Sequence, residues 1–115
     1  NQMAKEFLGE FEELVLTMVA ALQDDAYGAA ITEEIELRLK REVTLSAVHV
    51  TLYRLEDKGY IRSSNCEATE ERAGRPRKYY EITALGKKAI AYAKASRDKM
   101  WEAIPKVVLE LKGSL

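Results

Sequence analysis

The chain has 115 residues, which is enough for one domain of ordinary size and too short for two. Apolar residues make up 47% and charged residues 32%, so the composition is that of a folded globular domain and excludes a disordered segment. The formal net charge of −1 does not by itself indicate any class of partner. No apolar run approaches the ~18 residues that span a bilayer. Because Cys66 is the single cysteine, no internal disulfide can form, and we expect a cytoplasmic protein without membrane contact.

Charge is distributed unevenly along the chain. The N-terminal third is acidic, and its carboxylates include Glu10, Glu12, Glu13, Asp24, Asp25, Glu33, Glu34 and Glu36. One short later stretch is basic and contains no acid; its cations are Arg72, Arg75, Arg77 and Lys78. A local basic patch can bind phosphate on a neutral protein, because counterion release depends on the charges at the contact. The alternative is a solvated loop that keeps the chain soluble.

Apolar residues recur at helical spacing near the start of the chain and predict a first helix from about Glu10 to Leu22. They are Phe7, Phe11, Leu14, Val15, Met18, Val19 and Leu22. Leu8, Leu16 and Ala20 widen the apolar surface beyond one stripe, so this helix must bury two sides. We expect one of these sides, with Leu16 on it, to face a partner subunit.

A second helix follows a turn at Asp24 and Asp25, whose carboxylates can accept hydrogen bonds from its first N–H groups. Its apolar stripe has i, i+4 spacing and consists of Tyr27, Ile31, Ile35 and Leu39.

A third helix begins at a cap supplied by Thr44 or Ser46 and ends at Gly59, a residue suited to the left-handed conformation. Its predicted core face is Val48, Leu52 and Leu55. Since a brief turn joins the second and third helices, the pattern favours a helix-turn-helix.

Two β-prone runs, residues 60–65 and 78–82, are separated by a polar loop that contains Gly74 and Pro76. This pattern predicts an antiparallel hairpin with a long tip, which we call the wing. Tyr79 and Tyr80 alternate across a strand, so we expect at least one of them to be a core residue.

The last predicted helix covers residues 83–104 and would be about 33 Å long. It is too long to pack wholly against so small a domain, so we expect it to pair with a second copy of the chain. Pro105 should kink or restart the chain, because it has no backbone N–H. The predicted dimer contacts are Leu16, Ala89, Tyr92, Ala93, Ser96, Met100, Trp101 and Ile104. Whether the first or the last helix dominates this interface is left open.

The order of three helices, a hairpin and a final helix predicts a mainly α fold with a small β-hairpin, a winged helix-turn-helix. We expect a DNA-binding domain over residues 8–83 and a C-terminal dimerisation helix over residues 84–111, kinked at Pro105.

Four segments, residues 8–16 (LGEFEELVL), 26–31 (AYGAAI), 52–61 (LYRLEDKGYI) and 72–83 (RAGRPRKYYEIT), resemble the PadR family of regulators in its short form. The resemblance implies a homodimeric repressor whose third helix enters the major groove and whose wings contact the flanking backbone. The expected partner is double-stranded, pseudo-palindromic operator DNA. His49 stands where the family usually has a tyrosine, and Ala73 replaces the first glycine of the family's Arg-Gly-Gly wing sequence.

On the third helix, the side opposite the core face is expected to meet DNA. The predicted contacts are Ser46, Ala47, His49, Val50, Tyr53 and Arg54. Residues near the start of a recognition helix usually reach the base edges, so Ser46 and His49 are expected to hydrogen-bond there. Val50 is expected to touch a thymine methyl group, and Tyr53 and Arg54 to bind phosphates. In the alternative interpretation, Val50 and Tyr53 cover a subunit or domain surface.

The basic patch supplies the expected wing contacts, which are Arg72, Arg75, Arg77 and Lys78. We expect no cofactor and no metal site, because His49 and Cys66 offer too few ligands beside the carboxylates. The sequence contains no recognisable nucleophile with a paired base and no phosphate-cradling loop, so we do not expect an enzyme. Met100 and Trp101 are assigned to dimer packing; the alternative, implied by some relatives in the resembled family, is a pocket for an unidentified small-molecule effector. The alternative function is a winged-helix module that binds protein and not DNA.

Overall fold

The structure is a computed structural model that describes residues 7–66 and 77–110. The helices and strands, in chain order, are α1 (Glu10–Leu22), α2 (Gly28–Leu39), α3 (Leu45–Asp57), β1 (Ile61–Cys66), β2 (Arg77–Ile82), α4 (Ala84–Glu102) and α5 (Lys106–Leu109). A single 3₁₀ turn, Gln23–Asp25, joins α1 to α2. The predicted fold class, mainly helical with one antiparallel hairpin, is confirmed.

Helix α1 is the centre of the fold, and it contacts α2, α3, α4 and β2. The largest fully buried side chains are Val15, Leu16, Val19, Ile31, Ile35, Val48, Leu52, Leu55, Tyr60 and Ile61. The predicted core face of α3 is therefore confirmed. The assignment of Leu16 to a dimer contact is corrected, because its side chain is 0% exposed within the single chain. The second apolar side of α1 is covered by the chain's own strand β2 and helix α4.

Glu12 joins the start of α1 to the end of α3. Its Oε1 accepts a hydrogen bond of 2.9 Å from the Gly9 N–H, and its Oε2 lies 2.9 Å from Lys58 Nζ. Burial raises the pKa of the Glu12 carboxyl, but the hydrogen bonds from Lys58 and Gly9 and the charges of Lys58 and Arg54 outweigh it, so the pKa is lowered overall. The carboxylate is thus held in its charged form.

Both ends of α3 follow their sequence signals. Of the two predicted caps, Thr44 is the one used: its hydroxyl accepts a hydrogen bond of 3.1 Å from the Ala47 N–H. Gly59 has a φ of +83°, the left-handed conformation that ends a helix with little strain in glycine. The Tyr60 N–H then donates to the Leu55 carbonyl oxygen at 2.9 Å, which turns the chain into β1.

The hairpin pairs Ile61 with Ile82 at its base and Cys66 with Arg77 at the other end of the described ladder. The strand bounds differ from the predicted ones by one residue at most ends. Tyr80 is buried in the core, as expected for one of the two tyrosines. The tip of the wing lies in residues 67–76, outside the described part of the chain.

An isolated β-bridge beside the hairpin was not predicted. The Tyr80 N–H donates to the Ala26 carbonyl oxygen at 2.8 Å, and Tyr27 forms an antiparallel bridge with Tyr79. These contacts attach the wing directly to the start of α2. A single bridge has too few positions to show an alternating pattern, so the sequence carried no signal for it.

Of the two outcomes predicted for Pro105, a kink or a restart, the structure shows a restart, so the described part of the helix predicted over residues 84–111 is two helices. Helix α4 ends at Glu102, about 28 Å from its start, and the N–H groups of Ala103 and Ile104 close its last turn. Pro105 then adopts an extended conformation with φ −62° and ψ 141°, and α5 begins after it. Proline disfavours helical geometry in the residue before it, so the chain restarts at Pro105 and is not merely kinked there.

Within residues 7–66 and 77–110, none of the helices combines the length and the apolar character that crossing a bilayer requires.

Candidate nucleic-acid interface

The outward face of α3 carries all six residues that the sequence predicted for DNA contact. Ser46, Ala47, His49, Val50, Tyr53 and Arg54 are all exposed. Val50 is 52% and Tyr53 is 73% exposed, so neither covers another surface of its own chain. The face lies opposite the fully buried residues of the same helix, which fix how α3 is rotated about its axis.

His49 lies against the first residue of α2. A Cβ placed on Gly28 would be 3.2 Å from His49 Cε1, which is tight, and 2.7 Å from His49 Nε2, which is closer than a real Cβ approaches. Gly28 is buried, whereas the His49 side chain as a whole stays exposed. The imidazole is therefore supported from one side by the backbone of α2 and faces solvent on the other.

The base of the wing holds a cluster of one cation and two aromatic rings. Arg77 Cζ lies 3.9 Å from the centroid of the Tyr27 ring. The Tyr27 and Tyr79 rings are 5.4 Å apart in an edge-to-face arrangement, and Arg77 Nη1 donates to the Tyr79 hydroxyl at 3.4 Å. Arg77 is thus held at the junction of the wing with the helix-turn-helix.

Of the remaining three wing cations, the structure describes Lys78. Lys78 is exposed on β2, with its Nζ 6.0 Å from the centroid of the Tyr80 ring. Arg72 and Arg75 belong to residues 67–76, which the structure does not describe.

Many of the other cations are engaged by carboxylates. Arg41 pairs with Glu10 at 2.9 Å, and Lys58 pairs with Glu12. Arg54, by contrast, forms no ion pair with any residue in the described ranges, and its guanidinium is exposed. It remains available on the outward face of α3.

The residues predicted for the dimer interface fall into separate environments. Ala89 packs against the chain's own core, and the Tyr92 ring lies 5.8 Å from that of Phe7. Further along α4, Met100 is 73% and Trp101 62% exposed. An apolar groove of about 410 Å³ there is lined by Ser96, Arg97, Met100, Trp101 and Ile104. Ala93 is half-buried on the intervening turn.

Two residues near the interface were not assigned to it from the sequence. Tyr27 was placed in the apolar stripe of α2, but it precedes that helix in an extended conformation. Gly28 was given no role. The sequence signal that could have found Tyr27 is its position directly before the first helix of the helix-turn-helix, whereas nothing in the sequence signals the approach of Gly28 to His49. In residues 7–66 and 77–110, no three metal-ligating side chains come together.

Comparison with known proteins agrees with this architecture. The model of a family described as the transcriptional regulator PadR-like family matches residues 15–92. An uncharacterised protein of Lysinibacillus sphaericus is 32% identical over 105 residues, which cover 87% of this chain and 85% of that protein. The crystal structure of a PadR-like transcription factor from Bacteroides fragilis superposes with a TM-score of 0.71 at 25% identity, covering 88% of this chain and 89% of that one.

The structure of Bacillus subtilis PadR in complex with operator DNA is also similar in fold. Its TM-score is 0.60 at 20% identity, and the match covers 71% of this chain and 45% of that one. The matched family model spans more than half of the present chain, from the middle of α1 into α4. The chain therefore belongs to the PadR-like family of transcriptional regulators.

Proposed function

We propose that the chain is a repressor that binds a pseudo-palindromic operator as a homodimer and inserts α3 into the major groove. The observation that carries this proposal is the exposed face of α3, where Ser46, His49 and Arg54 lie opposite a completely buried apolar face. The major groove of B-DNA is about 12 Å wide and admits an α-helix. The Bacillus subtilis protein of similar fold, solved in complex with operator DNA, supports DNA as the partner.

Contacts along α3 divide by position. Ser46 and His49 lie in the first turns and read base edges, where an imidazole can donate or accept a hydrogen bond. Val50 contacts the methyl group of a thymine. Tyr53 and Arg54 lie further along the helix and bind phosphates, which position the protein without reading sequence.

The wing supplies the second set of contacts, from Arg72, Arg75, Arg77 and Lys78. Guanidinium groups suit both phosphates and a narrow minor groove, so these residues bind the backbone that flanks the major-groove site. Arg77 and Lys78 begin β2, so they lie at the end of the described ladder from which residues 67–76 extend.

Dimerisation is assigned to the far half of α4. Met100 and Trp101 expose large apolar surface beside a groove that their own chain leaves unfilled, and aromatic residues and methionine are enriched at interface cores. Two α3 helices related by a twofold axis would then enter successive major grooves about 34 Å apart.

The experiment that tests this function has two parts. The purified chain is first used to select duplexes from a random-sequence pool, and its mass in solution is measured by light scattering. Fluorescence anisotropy then compares the selected duplex with a shuffled one of equal composition. The proposal predicts a dimer, an inverted repeat in the selected sequences and tighter binding to the selected duplex. Equal binding to both duplexes would contradict it and favour a protein-binding module.

A further inference from the structure

We infer that Tyr27 and Gly28, which we call the helix-start pair, position the DNA-contacting groups Arg77 and His49. Neither member of the pair is charged, and neither belongs to the recognition helix or to the wing. The inference rests on the proposed function, since it concerns how two of its contacts are held. It adds two positioning residues that act through their neighbours.

Tyr27 is the platform for Arg77. The guanidinium carbon lies 3.9 Å above the Tyr27 ring, which is the separation of a stacked cation–π contact. The ring itself is fixed, because Tyr27 forms a backbone bridge with Tyr79 and an edge-to-face ring contact with it. Arg77 therefore reaches DNA from a defined point, although it carries one of the longest and most flexible side chains.

Gly28 leaves open the space that the His49 ring occupies. The ring edge of His49 occupies the volume that any side chain at position 28 would need, with contacts of 2.7, 3.2 and 3.4 Å from a Cβ built there. The backbone conformation of Gly28 is ordinary, so the absence of a side chain matters here for space and not for φ. A methyl group at this position must push the imidazole away from α2.

The two members of the helix-start pair are consecutive residues, so one peptide unit sets the spacing between a wing arginine and a recognition-helix histidine. The Tyr27 carbonyl oxygen of this peptide accepts a hydrogen bond from the Ile31 N–H at 2.9 Å, and the carbonyl oxygen of the following peptide, that of Gly28, accepts one from the Thr32 hydroxyl at 2.8 Å. The wing and α3 therefore both pack against the same rigid start of α2.

The test for Tyr27 is a double-mutant cycle with Arg77, measured by anisotropy on the duplex that the unaltered chain selects. Tyr27→Leu is expected to weaken binding by about threefold to tenfold, because an Arg77 side chain that the ring no longer holds must be ordered when DNA binds. Tyr27→Phe keeps the ring and is expected to bind within about twofold of the unaltered chain. In an Arg77→Met background, Tyr27→Leu is expected to have no further effect. A merely structural role would give the same loss in both backgrounds.

The test for Gly28 is a change in base preference. Gly28→Ala is expected to alter the relative affinities for duplexes that differ at single base pairs, and to lose this effect in a His49→Ala background. Ala29→Ser, at the adjacent exposed position, is the matched control and should leave preference unchanged. If Gly28→Ala acts equally with and without the imidazole, Gly28 does not act through His49.

The outcomes separate the two proposals. A chain that selects no duplex overturns the proposed function and the positioning role with it. A chain that selects a duplex but shows no coupling overturns only the positioning role. If Tyr27→Leu does not fold, NMR of the unaltered chain and of Tyr27→Phe tests the stacking. We expect upfield ring-current shifts of the Arg77 side-chain protons in both proteins. Ordinary chemical shifts of these protons would contradict the stacking.

Discussion

Gly86 in the first turn of α4 lies directly against the carbonyl of Tyr60, so closely that a Cβ at position 86 would be 2.1 Å from that oxygen. Thr83 strengthens the same junction: its hydroxyl donates to the Gly59 carbonyl oxygen at 2.6 Å, and its N–H donates to that of Tyr60 at 3.0 Å. The start of α4 is thereby fixed to the point where α3 passes into the wing. Any movement of α4 must therefore be transmitted to this junction or break it.

Gly86→Ala should consequently destabilise the fold. The new methyl group meets backbone that cannot rotate away, so we expect a loss of about 2–3 kcal/mol in the free energy of unfolding. Urea denaturation followed by circular dichroism measures it. Gly9→Ala is the matched control, because the nearest atom to a Cβ there is 3.8 Å away. Equal stabilities of the two variants would show that α4 does not approach Tyr60 so closely.

The Glu12–Lys58 ion pair predicts a pH dependence of stability. Since the pKa of Glu12 lies below its ordinary value of 4.5 in the folded chain, the unfolded state takes up a proton first as the pH falls. The stabilisation is therefore complete above about pH 4.5 and is lost as the pH drops through the folded pKa. Glu12→Gln should lose about 1 kcal/mol at pH 7 and converge with the unaltered chain in acid.

Urea denaturation at a series of pH values between 3 and 7 checks this convergence. Glu10→Gln, which removes the much more exposed partner of Arg41, is the control and should change stability little at any pH. A difference between Glu12→Gln and the unaltered chain that stays constant across the series would contradict the lowered pKa.

The turn after α1 stores backbone strain at Gln23, whose φ of 52° and ψ of −117° suit glycine far better than a residue with a side chain. Gln23→Gly should therefore stabilise the fold by about 1 kcal/mol. In ordinary helical geometry, the same replacement has the opposite effect, so Ala21→Gly in α1 should destabilise it by about 1 kcal/mol. Thermal unfolding of both variants tests the contrast, and a loss of stability in both would refute the strain.

Replacing His49 and replacing Arg54 by alanine are expected to change DNA binding in different ways. Arg54→Ala removes a phosphate contact, so binding should weaken about equally on all duplexes and the salt slope should fall by about one unit. His49→Ala removes a base contact and should change the preference among duplexes. Arg38→Ala, an exposed arginine that pairs with Glu34, is the matched control. Uniform weakening by His49→Ala would contradict its assignment to base edges.

The sequence predicted those elements whose signals are local. Helix α1 begins and ends where its apolar periodicity does. Gly59 follows α3 in the left-handed conformation that glycine favours. Leu16 could not be placed, because periodicity shows that a helix buries two sides but not whether its own chain or a partner covers the second. The close approach of Gly28 to His49 depends on how two helices cross, which no spacing along the chain encodes.

DNA reading through the exposed face of α3 is tested by anisotropy with the selected and the shuffled duplex at rising salt concentration. We expect tighter binding to the selected duplex at every concentration, with the logarithm of affinity falling linearly against the logarithm of salt concentration. Affinities that are equal for both duplexes, or that do not change with salt, would contradict it.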